Sequence, residues 1–271
     1  MNYHYKVLII PPILLLIGSI AFLSYGYLQT GEWLLRSTEL KGGTLITIMG
    51  HSGQGLGLEE FKASVRDIGG FSGQGFLVEI PPEVNYQVVL DAIESRGIST
   101  SQASVRSVGP ALGESFWVQA QIAMVAAFIL MAIVVFFLFR KTIPCLAVIF
   151  SAAADIIVTM AMMQVFHIDL TLAGIGALLM LIGYSVDTDI LLTTRVIKGS
   201  GEMNKRYKDA FFTGITMTST AIGVMIVMII ANVSVVITQI ASVLLIGLFV
   251  DILNTWMTNA GLLKWYMEGR Q

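Results

Sequence analysis

Residues 117–139 read WVQAQIAMVAAFILMAIVVFFLF, and no charged side chain interrupts them. A bilayer core about 30 Å thick is crossed by roughly 20 apolar residues at about 1.5 Å rise each, so this run is predicted to be a membrane-spanning helix. Five further runs of the same kind lie on either side of it, at residues 7–28, 143–165, 170–194, 210–231 and 237–262. The composition agrees: the chain of 271 residues is 55% hydrophobic and 13% charged, with a mean hydropathy of +0.79. That is more apolar surface than one water-soluble core can hide. The run at 7–28 is apolar for a full bilayer thickness and has no small-residue cleavage pattern, so it is expected to stay as the first span.

Residues 1–29 therefore read as a terminus and first span, and residues 116–264 as a bundle of five more spans followed by a short tail at 265–271. Between them, residues 30–115 have ordinary soluble composition and hold more than half of the chain's 18 acidic residues. Their hydrophobic period switches along the chain. Residues 43–49 alternate as a strand, 58–68 repeat as a helix, and 75–80 form a strand ended by Pro81 and Pro82. Residues 84–96 read as a second helix and 101–108 as a last strand. The expected fold is a polytopic α-helical membrane protein carrying a small α+β, ferredoxin-like domain of the split β-α-β kind between its first two spans. The glycine-rich stretches at 50–57 and 69–75 match no phosphate-cradling spacing and read as turns.

Lys and Arg in short loops mark the cytoplasmic side. Lys6, Arg140, Lys141, the cluster from Arg195 to Lys208, Lys264 and Arg270 all fall on one side, and the short loops around His167 and Asn232 carry none. Both termini are thus expected in the cytoplasm, with the inserted domain outside the cytoplasmic membrane. A net charge of −2 without a basic block speaks against a nucleic-acid partner. The lone Cys145 reads as a small packed residue, and His4, His51 and His167 form no metal-ligand pattern, so neither metal nor cofactor is expected.

Ionisable groups deep in a span are costly and are functional candidates by default. Four aspartates qualify. Asp155 is flanked one turn away by Ser151 and Thr159. Asp187 and Asp189, two residues apart, point to opposite faces of one helix. Asp251 is followed at helical spacing by Asn254, Thr255 and Thr258. No Lys or Arg lies at matching depth, and a carboxylate taken out of water without a partner favours its neutral form and can take up a proton. Coupling to H⁺ or Na⁺ is one role for such groups, and Asp187, with few hydroxyls at helical spacing, is the first candidate for it. Holding the bundle together by hydrogen bonds to neighbouring hydroxyls is the other. A stripe of Asp155, Asp187 and Asp251 facing lipid would require a second membrane chain to cover it.

Four stretches carry a family resemblance. Glu39-Leu40-Lys41-Gly42-Gly43-Thr44-Leu45-Ile46 follows the first span, and Val108-Gly109-Pro110-Ala111-Leu112-Gly113 with Gln119-Ala120 precedes the second. Ala154-Asp155-Ile156-Ile157-Val158-Thr159 lies in the third, and Gly183-Tyr184-Ser185 through Asp187 to Arg195 in the fourth. In this order, around one span, one outer domain and five spans, they resemble the archaeal SecF branch of the SecD/SecF protein-export family within the RND (resistance-nodulation-division) superfamily. The resemblance covers essentially the whole chain. It implies an accessory, non-enzymatic role in export, with SecD, the Sec translocon channel, exported proteins and membrane lipid as partners. It also implies a proton relay, from which this chain departs twice. Thr188 stands where bacterial members carry an acidic residue, and Gly214 where they carry an arginine. A stand-alone exporter of lipids or small molecules would normally carry two such halves. A membrane-embedded aspartyl protease would need Y-D and G-x-G-D motifs, which this chain lacks.

Overall fold

The computed structural model describes residues 8–53, 55–70 and 73–268. His4, Lys6 and Arg270 lie outside the described residues. The first span is α1 (Ile10–Thr30), with proline in its first turn and a left-handed Gly31 (φ 74°) whose N–H closes on Tyr27 O. The chain then forms a short helix α2 (Thr38–Lys41) and strands β1 (Gly43–Met49), β2 (Ser64–Gly70) and β3 (Gly73–Ile80). Helix α3 (Tyr86–Ser95) and strand β4 (Ser104–Val108) complete the inserted domain. Asn85 caps α3 by accepting from Gln87 N at 3.0 Å.

All pairings are antiparallel, with Thr44 opposite Ile80 and Ser107, and Val65 opposite Val78, in the order β2-β3-β1-β4. One face of this sheet, through Ile46, Ile48, Phe76, Val78 and Ile80, packs on Val89 and Ile93 of α3. The helix predicted over 58–68 is not there. Glu59–Phe61 makes a single 3₁₀ turn, Lys62 enters the left-handed region (φ 52°), and the chain continues as β2. Leu58, Phe61, Val65 and Ile68 are spaced as on a helix, but β3 offers an open edge along all of β2, and that pairing overrides the local period. The domain is therefore a four-stranded sheet with one covering helix rather than two.

Backbone contact joins the domain's two connections to the membrane. A Cβ on Gly42 (φ 85°) would lie 2.6 Å from Pro110 Cα, and one on Gly113 would lie 2.6 Å from Gly42 N. Only glycine fits where these connections cross. A Cβ on the adjacent Gly43 would meet Ile80 O at 2.5 Å. Gly109, extended, leads into α4 (Pro110–Phe139), which begins on the proline that can dispense with its N–H.

The remaining spans are α5 (Thr142–Val165), α6 (Leu172–Lys198) and α7 (Met203–Ala231), followed by a last rod. That rod runs as α8 (Val235–Leu253), passes through a π-helical turn (Asn254–Asn259) and ends as α9 (Ala260–Glu268). Among the described residues, six helices are thus long and apolar enough to cross a membrane. The most apolar stretches of α5 and α6 are 61% and 56% buried against 17% for α4, so α5 and α6 form the middle of the bundle. Gly247 lets α8 approach α6 closely, because a Cβ there would sit 2.3 Å from Leu181 Cδ2. The sheet's second face looks across a cleft of about 550 Å³ onto the ends of these helices. Leu45, Leu77 and Glu79 line one side, and Ile168, Asp169 and Gln239 the other. Burial pushes the Glu79 carboxyl above its ordinary range, against the opposing pull of Arg66.

Candidate functional site

Three of the four sequence-derived aspartates meet at the crossing of α5, α6 and the last rod. Asp155, Asp189 and Asp251 are each 0% exposed. Asp155 accepts from Ser185 Oγ of α6 at 2.6 Å and from Asn254 Nδ2 of the π-helical turn at 2.6 Å. Asp189 accepts from Asn259 Nδ2 at 2.6 Å and from Thr255 Oγ1 at 2.9 Å. The same Thr255 hydroxyl lies 3.1 Å from Asp251 Oδ1. One hydroxyl thus touches both Asp189 and Asp251. None of the three pairs with a Lys or Arg among the described residues.

The π-helical turn builds this arrangement. An extra residue per turn is rare in helices and concentrates at functional sites. Here its polar side chains reach two different spans, Asn254 toward α5 and Asn259 toward α6. Asp189 Oδ2 and Asn259 Oδ1 have no hydrogen-bond partner among the described residues. Buried charge without a counter-ion costs several kcal/mol per ion even after relaxation, so three ionised carboxylates in one dry site oppose each other strongly. Such an oxygen-rich cluster, with no Lys or Arg paired to it among the described residues, is chemically suited to taking up and releasing positive charge. Among the described residues no group of three or more His, Cys, Asp or Glu is placed to hold a metal ion.

Asp187 is not in the cluster. It lies on the exposed face of α6 with Gly183 and Tyr184, while Ser185 of the same motif points inward to Asp155. Arg195 is exposed nearer the end of that helix. The expected lipid-facing stripe of Asp155, Asp187 and Asp251 is thereby corrected: rotation along α5 and the last rod turns Asp155 and Asp251 inward, where Asp189 joins them. Thr188 is buried and returns its hydroxyl to Tyr184 O at 3.2 Å. Gly214 has no room for a side chain, since a Cβ there would lie 2.4 Å from Trp256 Cζ2. Asn259 lies beyond the polar run from Asp251 to Thr258, but Asp251, Thr255 and Asn259 follow at four-residue intervals, so extending that stripe by one turn reaches it.

Residues 88–269 match the family described as protein export membrane protein SecD/SecF, C-terminal. The chain belongs to the SecD/SecF family. The protein-export membrane protein SecF of Methanolacinia petrolearia is 39% identical, covering 98% of this chain and 95% of its own length. That of Methanothermobacter thermautotrophicus is 42% identical over 88% of this chain and 86% of its own. The crystal structure of SecDF, a translocon-associated membrane protein from Thermus thermophilus, superposes with a TM-score of 0.79 at 20% identity. It covers 97% of this chain, which spans 38% of the length of that protein, and at such identity the likeness concerns the fold. This SecD/SecF member is thus a multi-pass membrane protein of the protein-export class with archaeal SecF relatives.

Proposed function

We propose that this chain is the SecF-type half of a two-chain export assembly, in which uptake and release of an ion at the Asp155–Asp189–Asp251 cluster drives movement of the inserted domain. The observation that carries this reading is the cluster itself, three fully buried carboxylates at the crossing of three spans that pair with no Lys or Arg among the described residues. The sheet domain retains both split crossovers of a ferredoxin-like domain, with its first helix reduced to the turn at Glu59–Phe61. It faces away from the cytoplasm. The turns at His167 and Asn232, which line the cleft beneath it, carry no Lys or Arg, whereas Arg140, Lys141 and the run from Arg195 to Lys208 lie at the opposite ends of the helices. Both termini are then cytoplasmic.

Asp187 supports the need for a partner. An exposed carboxylate in mid-span, beside Met180, Gly183 and Tyr184, is tolerated in a bilayer only where another chain covers it. A SecD-type chain is that cover, and the Sec channel and its exported polypeptides follow as partners of the pair. Cysteines placed at Met180 or Tyr184 should cross-link to a SecD-type chain in native membranes. Recovery of self-links alone would refute the pairing.

The turn Asp169-Leu170-Thr171 is the mechanical link from cluster to domain. Leu170 N donates to Leu35 O at 2.8 Å and Ser37 N donates to Leu170 O at 2.9 Å, clamping the α5–α6 turn to the linker after α1. Glu39 accepts from Leu172 N at 3.1 Å, and Arg66 of β2 pairs with Asp169. Gln239 of α8 donates to Asp169 O and accepts from Thr171 Oγ1, both at 2.9 Å. The three elements that carry the carboxylates are thus joined to the sheet domain at one point. Arg66→Asp or Asp169→Arg alone should lower gradient-stimulated export severalfold, and the double exchange should restore most of it. An export assay at matched protein levels checks this; a double variant as impaired as the singles would show that the ion pair transmits nothing.

A further inference from the structure

We infer that Thr255 is a proton relay between Asp251 and Asp189, a role that rests on the ion-coupled reading above. Thr255 Oγ1 stands 2.9 Å from Asp189 Oδ1 and 3.1 Å from Asp251 Oδ1. A hydroxyl has one proton to donate and two lone pairs with which to accept. It therefore cannot donate to both carboxylates at once. The arrangement that satisfies both contacts has Thr255 donating to one carboxylate and accepting the O–H of the other, protonated one. Asp251–OH, Thr255–OH and the Asp189 carboxylate then form one hydrogen-bonded row.

The step is balanced in atoms and charge. The O–H bond of Asp251 breaks as its proton forms an O–H bond to Thr255 Oγ1, while the original Thr255 O–H bond breaks and its proton forms an O–H bond on Asp189. Asp251 is left as the carboxylate, Thr255 is a hydroxyl as before, and one proton has moved from the last rod to α6 with no other reactant. The other acceptor on Asp189 Oδ1 is filled by Asn259 Nδ2 at 2.6 Å, and Asn254 Nδ2 holds Asp155 in the same way. These amides fix the carboxylates and contribute no exchangeable acid of their own. They are positioning residues.

Among the described residues no Lys or Arg forms an ion pair with these carboxylates. The titratable groups bonded to Thr255 are Asp189 from α6 and Asp251 from its own rod, while Asp155 of α5 is held by Ser185 and Asn254. Helix α1, which also packs on the π-helical turn, contains no charged residue, and α7 approaches it through Gly214 and Phe211 against Trp256. Thr255 is itself 0% exposed, so bulk water does not offer a parallel route at this point. The π-helical geometry supplies the alignment, because it places Thr255 one turn from Asp251 while carrying Asn259 onto Asp189.

The test uses the full chain reconstituted with its SecD-type partner in liposomes loaded with a pH-sensitive dye. Proton flux under an imposed ΔpH is measured for the native protein and for Thr255→Val, which removes the hydroxyl at nearly equal volume. Thr255→Ser, which keeps the hydroxyl, and Asp189→Asn are measured beside them. Relay through Thr255 requires at least a tenfold loss of flux in Thr255→Val, flux within about threefold of native in Thr255→Ser, and slower native flux in D₂O. Native flux in Thr255→Val overturns the relay; if Asp189→Asn still abolishes flux, the ion-coupled reading survives that failure. Native flux no greater than that of Asp189→Asn overturns both. Equal losses in Thr255→Val and Thr255→Ser, at equal folded protein, also overturn the relay, since then shape and not the hydroxyl matters.

Discussion

Asp189→Asn should abolish the ion-gradient-dependent part of protein export while leaving assembly of the complex intact. The amide matches the carboxylate in volume and can still accept from Asn259 Nδ2, which now bonds at 2.6 Å, so the α6 contact with the last rod is kept. The ionisable oxygens are lost. With Asp155 and Asp251 remaining, the cluster has one charge-bearing group fewer and no cation to rebalance it among the described residues. A tenfold or greater loss of gradient stimulation is expected, about 1.4 kcal/mol or more in coupling. Asp155→Asn should act in the same direction, because Ser185 Oγ and Asn254 Nδ2 both donate to that carboxylate. Asp187→Asn should instead alter how much partner chain co-purifies, with gradient stimulation retained when equal amounts of assembled complex are compared. Export of a reporter from vesicles with and without an imposed ΔpH or sodium gradient separates these outcomes. Full stimulation in Asp189→Asn together with its loss in Asp187→Asn would make the cluster structural and return the coupling role to the exposed face of α6.

Gly214→Ala should destabilise the membrane domain by about 2–3 kcal/mol, a large effect for one added methyl. Its Cβ would lie 2.4 Å from Trp256 Cζ2 and 3.1 Å from Cη2. The indole cannot swing freely, since Phe211 packs edge-on against it at 5.1 Å between centroids. Pushing Trp256 aside also moves its neighbour Thr255 and so disturbs the hydrogen bonds to Asp189 and Asp251. Gly214→Arg should fail to fold, because Trp256 already fills the space that an arginine would need. Thermal unfolding in detergent, read by near-ultraviolet circular dichroism, checks the stability. Trp256→Ala alone costs about 3–5 kcal/mol through the cavity left behind. Combined with Gly214→Ala it should cost at least about 1 kcal/mol less than the sum of the two, because the second change removes the clash created by the first. Strict additivity would show that the contact is not the cause.

The six spans, the inserted domain and strand β1 were legible in the sequence. Each depends on a local property: an apolar run of bilayer length, a change in composition, or a clean two-residue alternation over Gly43–Met49. The four deep aspartates were legible for the same reason, since charge in an apolar run stands out without knowledge of contacts. Strand β2 was not legible, because the spacing of Leu58, Phe61, Val65 and Ile68 satisfies a helix, and only the edge of β3 converts it to a strand. Nor could the sequence tell which aspartates meet. Asp187 and Asp189 differ by two positions on one helix, and their roles separate because Gly247 brings α8 against the face of α6 that carries Asp189. The π-helical turn then carries Asn259 onto Asp189, eight residues beyond Asp251 along the same rod. Spans and candidate residues follow from the chain's own periodicity, whereas the site follows from helix rotation and approach, which packing across the bundle sets.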